Sequence, residues 1–278
     1  MKRTIAVILA GAVLATGLTV APAVAASSGS AGSISHPDVV LYKGQHNKTA
    51  SASYSVKKPT AAQVDKCFTD NRSPGDSYLR WDDFFWTMDV EYLDRYGNLA
   101  SGGDFLYSGT DPASGKTGAT RWYEWDGYGR YTVRATVTRS YTIHIDGAYG
   151  EDWYDCTLPD ATYSDAFYFK RATYLSTNAA PEPVRKGSYV TVKGSLRYWN
   201  PDYSYGDGAI RPLTGRAVKI YFDPTGPKGP VYKATAKTSS KGTYAKKLKQ
   251  SASGTWVVKY AGTGTLTARQ AKDWVTAR

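Results

Sequence analysis

The chain has 278 residues and a formal net charge of +11, with 41% apolar residues, 23 Tyr, 8 Trp and 2 Met. That apolar content excludes a disordered chain, and abundant Tyr, Thr and Val weigh against a helical one. Two Cys with no His cluster beside them make a poor zinc site.

Residues 1–26 read as a cleaved signal peptide. Lys2 and Arg3 precede an apolar run from Ile5 to Val20, and Ala23-Val24-Ala25 fits a signal-peptidase site. Gly11, Gly17 and Pro22 interrupt the run, so a retained span is the weaker reading. No later stretch approaches the ~20 consecutive apolar residues a membrane span needs. The mature chain, ~250 residues, is enough for two ordinary domains. Cys67 and Cys156 are both exported, and an even count in an oxidising compartment predicts one disulfide between them.

From Val39 onward, period-two alternation and short apolar runs are broken at regular intervals by Gly, Pro, Asp and Asn, the pattern of an all-β sandwich. In residues 27–180 strands are expected at Asp38–Tyr42, Ala50–Val56, Phe84–Leu93, Thr120–Trp125, Gly129–Arg139, Tyr141–Ile145 and Ala166–Leu175. Only Pro59–Cys67 reads as helical. Asp126-Gly127 before Tyr131 predicts a tyrosine corner, in which the phenol reaches back to the turn's backbone. The expected disulfide would tie down a long Gly147–Asp165 excursion. Asn178–Gly187, with Pro181 and Pro183, reads as a stiff connector. Residues 181–278 then give strands at Tyr189–Val192, Gly194–Tyr198, Ala217–Phe222, Val231–Ala236, Gly242–Leu248, Thr255–Tyr260 and Trp274–Thr276. The expected architecture is all-β: two immunoglobulin-like (Ig-like) antiparallel β-sandwich domains in tandem.

Charge divides with the chain. Residues 27–180 carry 15 Lys and Arg against 19 Asp and Glu, whereas residues 181–278 carry 18 against 5. Such asymmetry suggests surfaces with different partners. For an exported protein the available polyanions are wall polymers, acidic polysaccharide and lipid headgroups. Without a recognition helix, zinc motif or RNA-binding signature, the basic residues do not point to nucleic acid. The plainer alternative is that lysines keep strand faces soluble and block edge pairing.

One stretch of the chain resembles a known group. Phe167–Thr173, Asn178–Gly187, Val190–Leu196, Gly215-Arg216-Ala217-Val218, Ser240–Tyr244, Ser253–Gly262 and Asp273-Trp274-Val275 resemble actinobacterial secreted proteins with Ig-like domains. The resemblance extends over residues ~166–278 and is weak before that. It implies an exported β-sandwich with no catalytic residues to carry across. Such proteins are sometimes labelled calcium-binding.

Motifs for chemistry are sparse. His36, His46 and His144 lack metal spacing, and His144, between Ile143 and Ile145, is expected to face solvent. Neither a nucleophile elbow nor a papain-like cysteine context occurs. Asp82-Asp83 and Glu151-Asp152 sit beside aromatics as glycosidase carboxylates can, yet adjacent residues on an extended strand point to opposite faces. Asn200–Gly208 offers alternating oxygen ligands but lacks the closing Glu of an EF-hand, so calcium is an open alternative and no metal ligands are assigned. Trp81, Trp122, Trp125 and Trp153 are the candidate binding residues, since exposed indoles stack on sugars or bury at protein contacts. Trp122 and Trp125 flank a turn and are the best candidates for exposure. The expectation is a secreted, non-catalytic binding or structural module, retained at an anionic cell wall or binding extracellular glycan or protein. A polysaccharide hydrolase and a proteinaceous inhibitor are the alternatives.

Overall fold

The computed structural model describes residue 29 and residues 31–201 and 208–278. The expected signal peptide and most of the Asn200–Gly208 loop, weighed above as a calcium alternative, lie outside them. Nearly every described element is a strand, and the chain is an all-β protein of mainly antiparallel, Ig-like sandwiches.

The first half contains β1 (Gly32–Ser35), β2 (Val39–Leu41), β3 (Asn47–Ala50), β4 (Ser53–Val56), α1 (Ala61–Asn71), β5 (Ser77–Leu93), β6 (Leu99–Gly109), β7 (Ala113–Lys116), β8 (Thr120–Tyr123), β9 (Gly129–Gly147) and β10 (Gly150–Arg171). A five-stranded sheet runs β2-β10-β9-β5-β6, with β1-β4-β7 and β3-β8 as smaller sheets. Strict alternation along β9 places Tyr131, Val133, Ala135, Val137, Tyr141, Ile143 and Ile145 on one buried face. Residues of the small sheets, including Ile34, Val56 and Trp122, join its early part in one core. Helix α1 covers the far end, where the Tyr141 hydroxyl donates to the Gln63 carbonyl at 2.9 Å. Between the two covers the same row presents buried Arg139, which donates to the Lys57 and Lys58 carbonyls at 2.9 and 3.3 Å. A buried cation thus satisfies carbonyls of the β4–α1 connection, which lies outside the ladders.

Local signals explain the ends of these elements. Helix α1 starts at a capping box: the Gln63 amide donates to Thr60 Oγ1 at 3.3 Å and the Thr60 amide to Gln63 Oε1 at 2.9 Å. At the start of β9 the Tyr131 phenol donates to the Asp126 carbonyl and, at 2.7 Å, to that of Gly127, which is the expected corner. Burial, aided by the Asp126 and Asp94 charges, pushes its pKa up to about 12, so the phenol remains a donor.

Two expectations change here. The Gly147–Asp165 excursion is strand: β10 begins at Gly150 and pairs with β9 throughout. Its Pro159 and Asp160, which read as loop, sit in a register shift between Leu158 and Ala161, where a proline breaks no ladder bond. The disulfide does join Cys67 and Cys156, with Cα atoms 6.2 Å apart, but it fastens α1 to β10.

The second half contains β11 (Thr173–Ala180), β12 (Tyr189–Asn200), β13 (Ala209–Pro212), β14 (Ala217–Pro224), β15 (Val231–Lys237), β16 (Thr243–Lys249), β17 (Gly254–Tyr260) and β18 (Arg269–Val275). One sheet runs β11-β12-β13 with β16 also on β12; the other runs β15-β14-β17-β18. Val190, Val192 and Leu196 from the first meet Val218, Ile220, Phe222, Trp256 and Val258 from the second, closing a two-layer core. Strand β12 is continuous where the sequence suggested a break at Gly194. A Cβ there would collide with the Ser176 carbonyl, so this glycine permits close strand approach. Strand β11 precedes the Pro181–Pro183 connector and pairs with β12 from Thr173 to Ala180, so that connector joins two strands of one sheet. Only Ala172 separates β10 from β11. Trp199 of β12 inserts into the first core and donates its indole N–H to the Gln45 carbonyl at 2.9 Å.

The disulfide closes a separation of 89 residues, and replacing both cysteines with alanine is expected to cost about 2–5 kcal/mol in equilibrium unfolding. Hydrogen exchange should show the loss of protection concentrated in α1. His36 gives a second expectation. It is buried, its ring centroid 3.9 Å from that of Phe167, with Nδ1 2.7 Å from the Pro37 carbonyl and no partner for Nε2. Burial holds its pKa below the ordinary 6.5, against the opposing pull of the Pro37 carbonyl, Asp165 and Asp38. The unfolded chain therefore takes up the proton first as pH falls. His36's contribution is complete above pH 6.5 and is lost as pH drops through the lowered value. Thermal melts across that window should show a falling limb that His36→Phe flattens.

Candidate functional site

The second sandwich turns a cationic face to solvent. On β14, Val218, Ile220 and Phe222 point into the core, so Ala217, Lys219 and Tyr221 point out. On β17, Trp256 and Val258 point into the core and Lys259 points out, while Val257 on the outer side is covered by its neighbours; on β18, register puts Gln270, Lys272 and Trp274 on the same outer face. One row across the sheet reads Thr235, Lys219, Lys259, Gln270, and the next reads Tyr232, Tyr221, Val257, Lys272. Lys219 and Lys259 are directly opposed on neighbouring strands, where like charges repel. The Lys259 ammonium stands 5.1 Å from the Tyr221 ring centre, and Tyr221 meets Tyr232 edge-to-face at 5.7 Å.

At one end this face deepens into a groove of about 930 Å³, lined by Arg216, Lys219, Tyr221, Lys259, Tyr260 and Arg269. The Arg269 Nε–H donates to the Thr173 carbonyl at 3.0 Å, which fixes its guanidinium at the rim. Asp223 lies at the opposite end of the strand. Among the described residues, every ion pair involves side chains before Arg171; none involves residues 173–278. Asp273 and Glu182 are instead used on backbone amides, those of Ala179 at 2.7 Å and Thr276 at 3.3 Å. The arrangement can attract and hold a polyanion, and the tyrosines give apolar surface between the charges.

The four candidate tryptophans do not converge. Trp122 is fully buried: on β8 it faces inward against Tyr131 at 4.7 Å and Phe167 at 5.4 Å, which corrects the expected exposure. The turn that suggested exposure begins after it, and alternation sends its side chain into the core. Trp125, in that turn, is 57% exposed and stacked at 4.4 Å on Tyr123. Trp81 is half-buried beside Tyr141. Trp153 is 65% exposed on the other face of the large sheet. The cationic face was missed, although Lys219 and Tyr221 alternating with Ile220 carried its signal.

Trp153 leans over an ion cluster, its ring 4.8 Å from that of His144. The expected solvent-facing His144 is buried, because Arg80 and Trp153 flank it across the ladder and two carboxylates close over it. Its Nε2 bonds Asp82 at 2.7 Å and its Nδ1 bonds Glu151, while Arg80 reaches Asp82 at 3.4 Å and Glu151 at 3.7 Å. An imidazole bonded to carboxylates through both nitrogens has no lone pair left for general-base work. His46 bonds Glu124 at 2.7 Å. Among the described residues no cluster of His, Cys, Asp and Glu could hold a metal ion. Burial pulls the His144 pKa down, but the hydrogen bonds from Asp82 and Glu151 outweigh it and the value is raised. The stabilisation is thus fully present below pH 6.5 and is lost as pH rises through the raised value. An imidazole NMR titration should show His144 protonating at higher pH than a free histidine, and Asp82→Asn should lower that midpoint.

No protein-family model and no curated protein matches the chain. Among solved structures the chain is similar to the D0-D1 domain of intimin, at 13% identity and a TM-score of 0.26, with 88% of this chain and 100% of that one aligned.

Proposed function

We propose that this is an extracellular, non-catalytic binding protein of two domains, retained on an anionic polymer of the bacterial cell surface through the β14–β17–β18 face. The observation that carries the reading is a set of 18 cations against 5 acids in residues 181–278, with no ion pair among the described residues 173–278. A surface built only for solubility mixes both signs. Here like charges are opposed across the ladder, and a bound polyanion would relieve them. Export is supported by the signal-peptide pattern and by a disulfide, which persists in oxidising compartments. The non-catalytic reading is supported by the engagement of His46 and His144 with carboxylates and the burial of His36 among aromatic rings. The exposed Trp125 and Trp153 leave the first domain free to meet a glycan or protein.

The mature chain should bind purified cell wall at low salt and be released by about 0.5 M NaCl, where exposed charges are screened within a few ångströms. Lys219→Glu combined with Lys259→Glu should weaken retention by about tenfold, roughly 1.4 kcal/mol, without lowering the melting temperature. Retention that survives high salt, or that ignores both reversals, would remove this account.

A further inference from the structure

The first sandwich holds a second site of different chemistry, independent of the cationic face. Strand β5 carries a bulge: Asp82 pairs with Thr142 and Phe85 with Ser140, so Asp83 and Phe84 together stand opposite Tyr141. Phe84 enters the core, whereas Phe85 turns out and is 45% exposed. Asp83 is the one non-glycine residue with positive φ among the described residues, at +48°. The bulge opens beside a cleft of about 490 Å³, lined by Lys58, Trp81, Asp83, Phe85, Thr110 and Asp111.

Both walls of this cleft are fastened to the core. Lys58 is held by its carbonyl, which accepts from Arg139 at 3.3 Å. Asp111 is held by its carbonyl, which accepts the Trp86 indole N–H at 2.7 Å. Trp81 packs edge-on against Tyr141 at 5.9 Å, and the Lys58 ammonium stands 5.7 Å from its ring. Asp82 takes no part, since its carboxylate is committed to His144 and Arg80. The cleft joins an aromatic wall to charged groups at its rim, a mixture that suits a polar ligand with an apolar face.

The geometry points to a binding site for a neutral oligosaccharide. Trp81 and Phe85 supply flat apolar surface for the C–H face of a sugar ring. The Asp83 and Asp111 carboxylates accept hydrogen bonds from hydroxyls, and Lys58 donates to ring or hydroxyl oxygens. Two exposed carboxylates against one ammonium disfavour the polyanions suited to the opposite half of the molecule. The left-handed backbone at Asp83, which glycine would adopt without strain, aims a carboxylate into the mouth at a cost in stability.

That cost makes the site testable. The mature chain is titrated with cellohexaose, maltohexaose and chitohexaose, following tryptophan fluorescence and calorimetric heat. At least one should bind with a Kd below about 1 mM. Asp83→Gly should lower that affinity at least about tenfold while leaving the melting temperature unchanged or higher, because glycine takes positive φ freely. Phe85→Ala, a change at an exposed ring, should weaken the same ligand. Binding of none of the three sugars at about 5 mM, or undiminished binding by both variants, overturns the proposal.

Discussion

The molecule depends on a junction one residue long. Strand β10 ends at Arg171 and β11 begins at Thr173, so the last strand of one sandwich leads directly into the first strand of the other. The Arg171 guanidinium lies between the Tyr128 and Tyr198 rings, 4.7 Å from each centre, and donates to Asn200 at 3.0 Å. Its amide donates to the Thr265 carbonyl, and Thr173 bonds Thr267 through both backbone and side chain. Trp199 adds an indole from the second half to the core of the first. A guanidinium between aromatic faces combines charge and stacking in a way lysine cannot reproduce. With no slack in the chain and side chains crossing in both directions, the two sandwiches are held in a fixed relation.

The halves solve their electrostatics differently. In the first, several acids and bases pair with one another: Arg134 with Glu91, Lys170 with Asp38, His144 with Asp82 and Glu151. In the second, the described cations form no ion pair with a described acid and meet carbonyls and rings instead, Arg269 the Thr173 carbonyl and Lys259 the Tyr221 ring. His36 and His144 carry opposite pKa shifts: burial outweighs the Pro37 carbonyl, Asp165 and Asp38 at His36, whereas the hydrogen bonds to Asp82 and Glu151 outweigh burial at His144.

Much of the fold was legible because alternation is local. The strands at β14, β17 and β9, the tyrosine corner at Tyr131 and the pairing of the only two cysteines could all be read from the sequence. What escaped depends on distant partners. Pro159 looks like a loop residue until a register shift absorbs it, and Gly194 looks like a break until Ser176 is placed against it. Trp122 sits beside a turn, yet the buried face its indole joins is built by Phe167 far along the chain as well as by nearby Tyr131. Of the candidate site, the charge excess of residues 181–278 was visible, but the facing of Lys219 and Lys259 required the register of β14 and β17. The bulge that opens the cleft at Asp83 is likewise a property of two strands together.

The continuous passage from β10 into β11 also sets how the molecule would bear tension. Tension applied across the two sandwiches would run along these strands. Force entering at Arg171 would load the pairing of β10 with β9, whose register extends from Gly150 to Phe169, in shear, so that many backbone bonds resist at once. A flexible linker would have yielded first and taken up the extension. With only Ala172 between the two sandwiches, the β9–β10 ladder takes up that load with no linker to extend first.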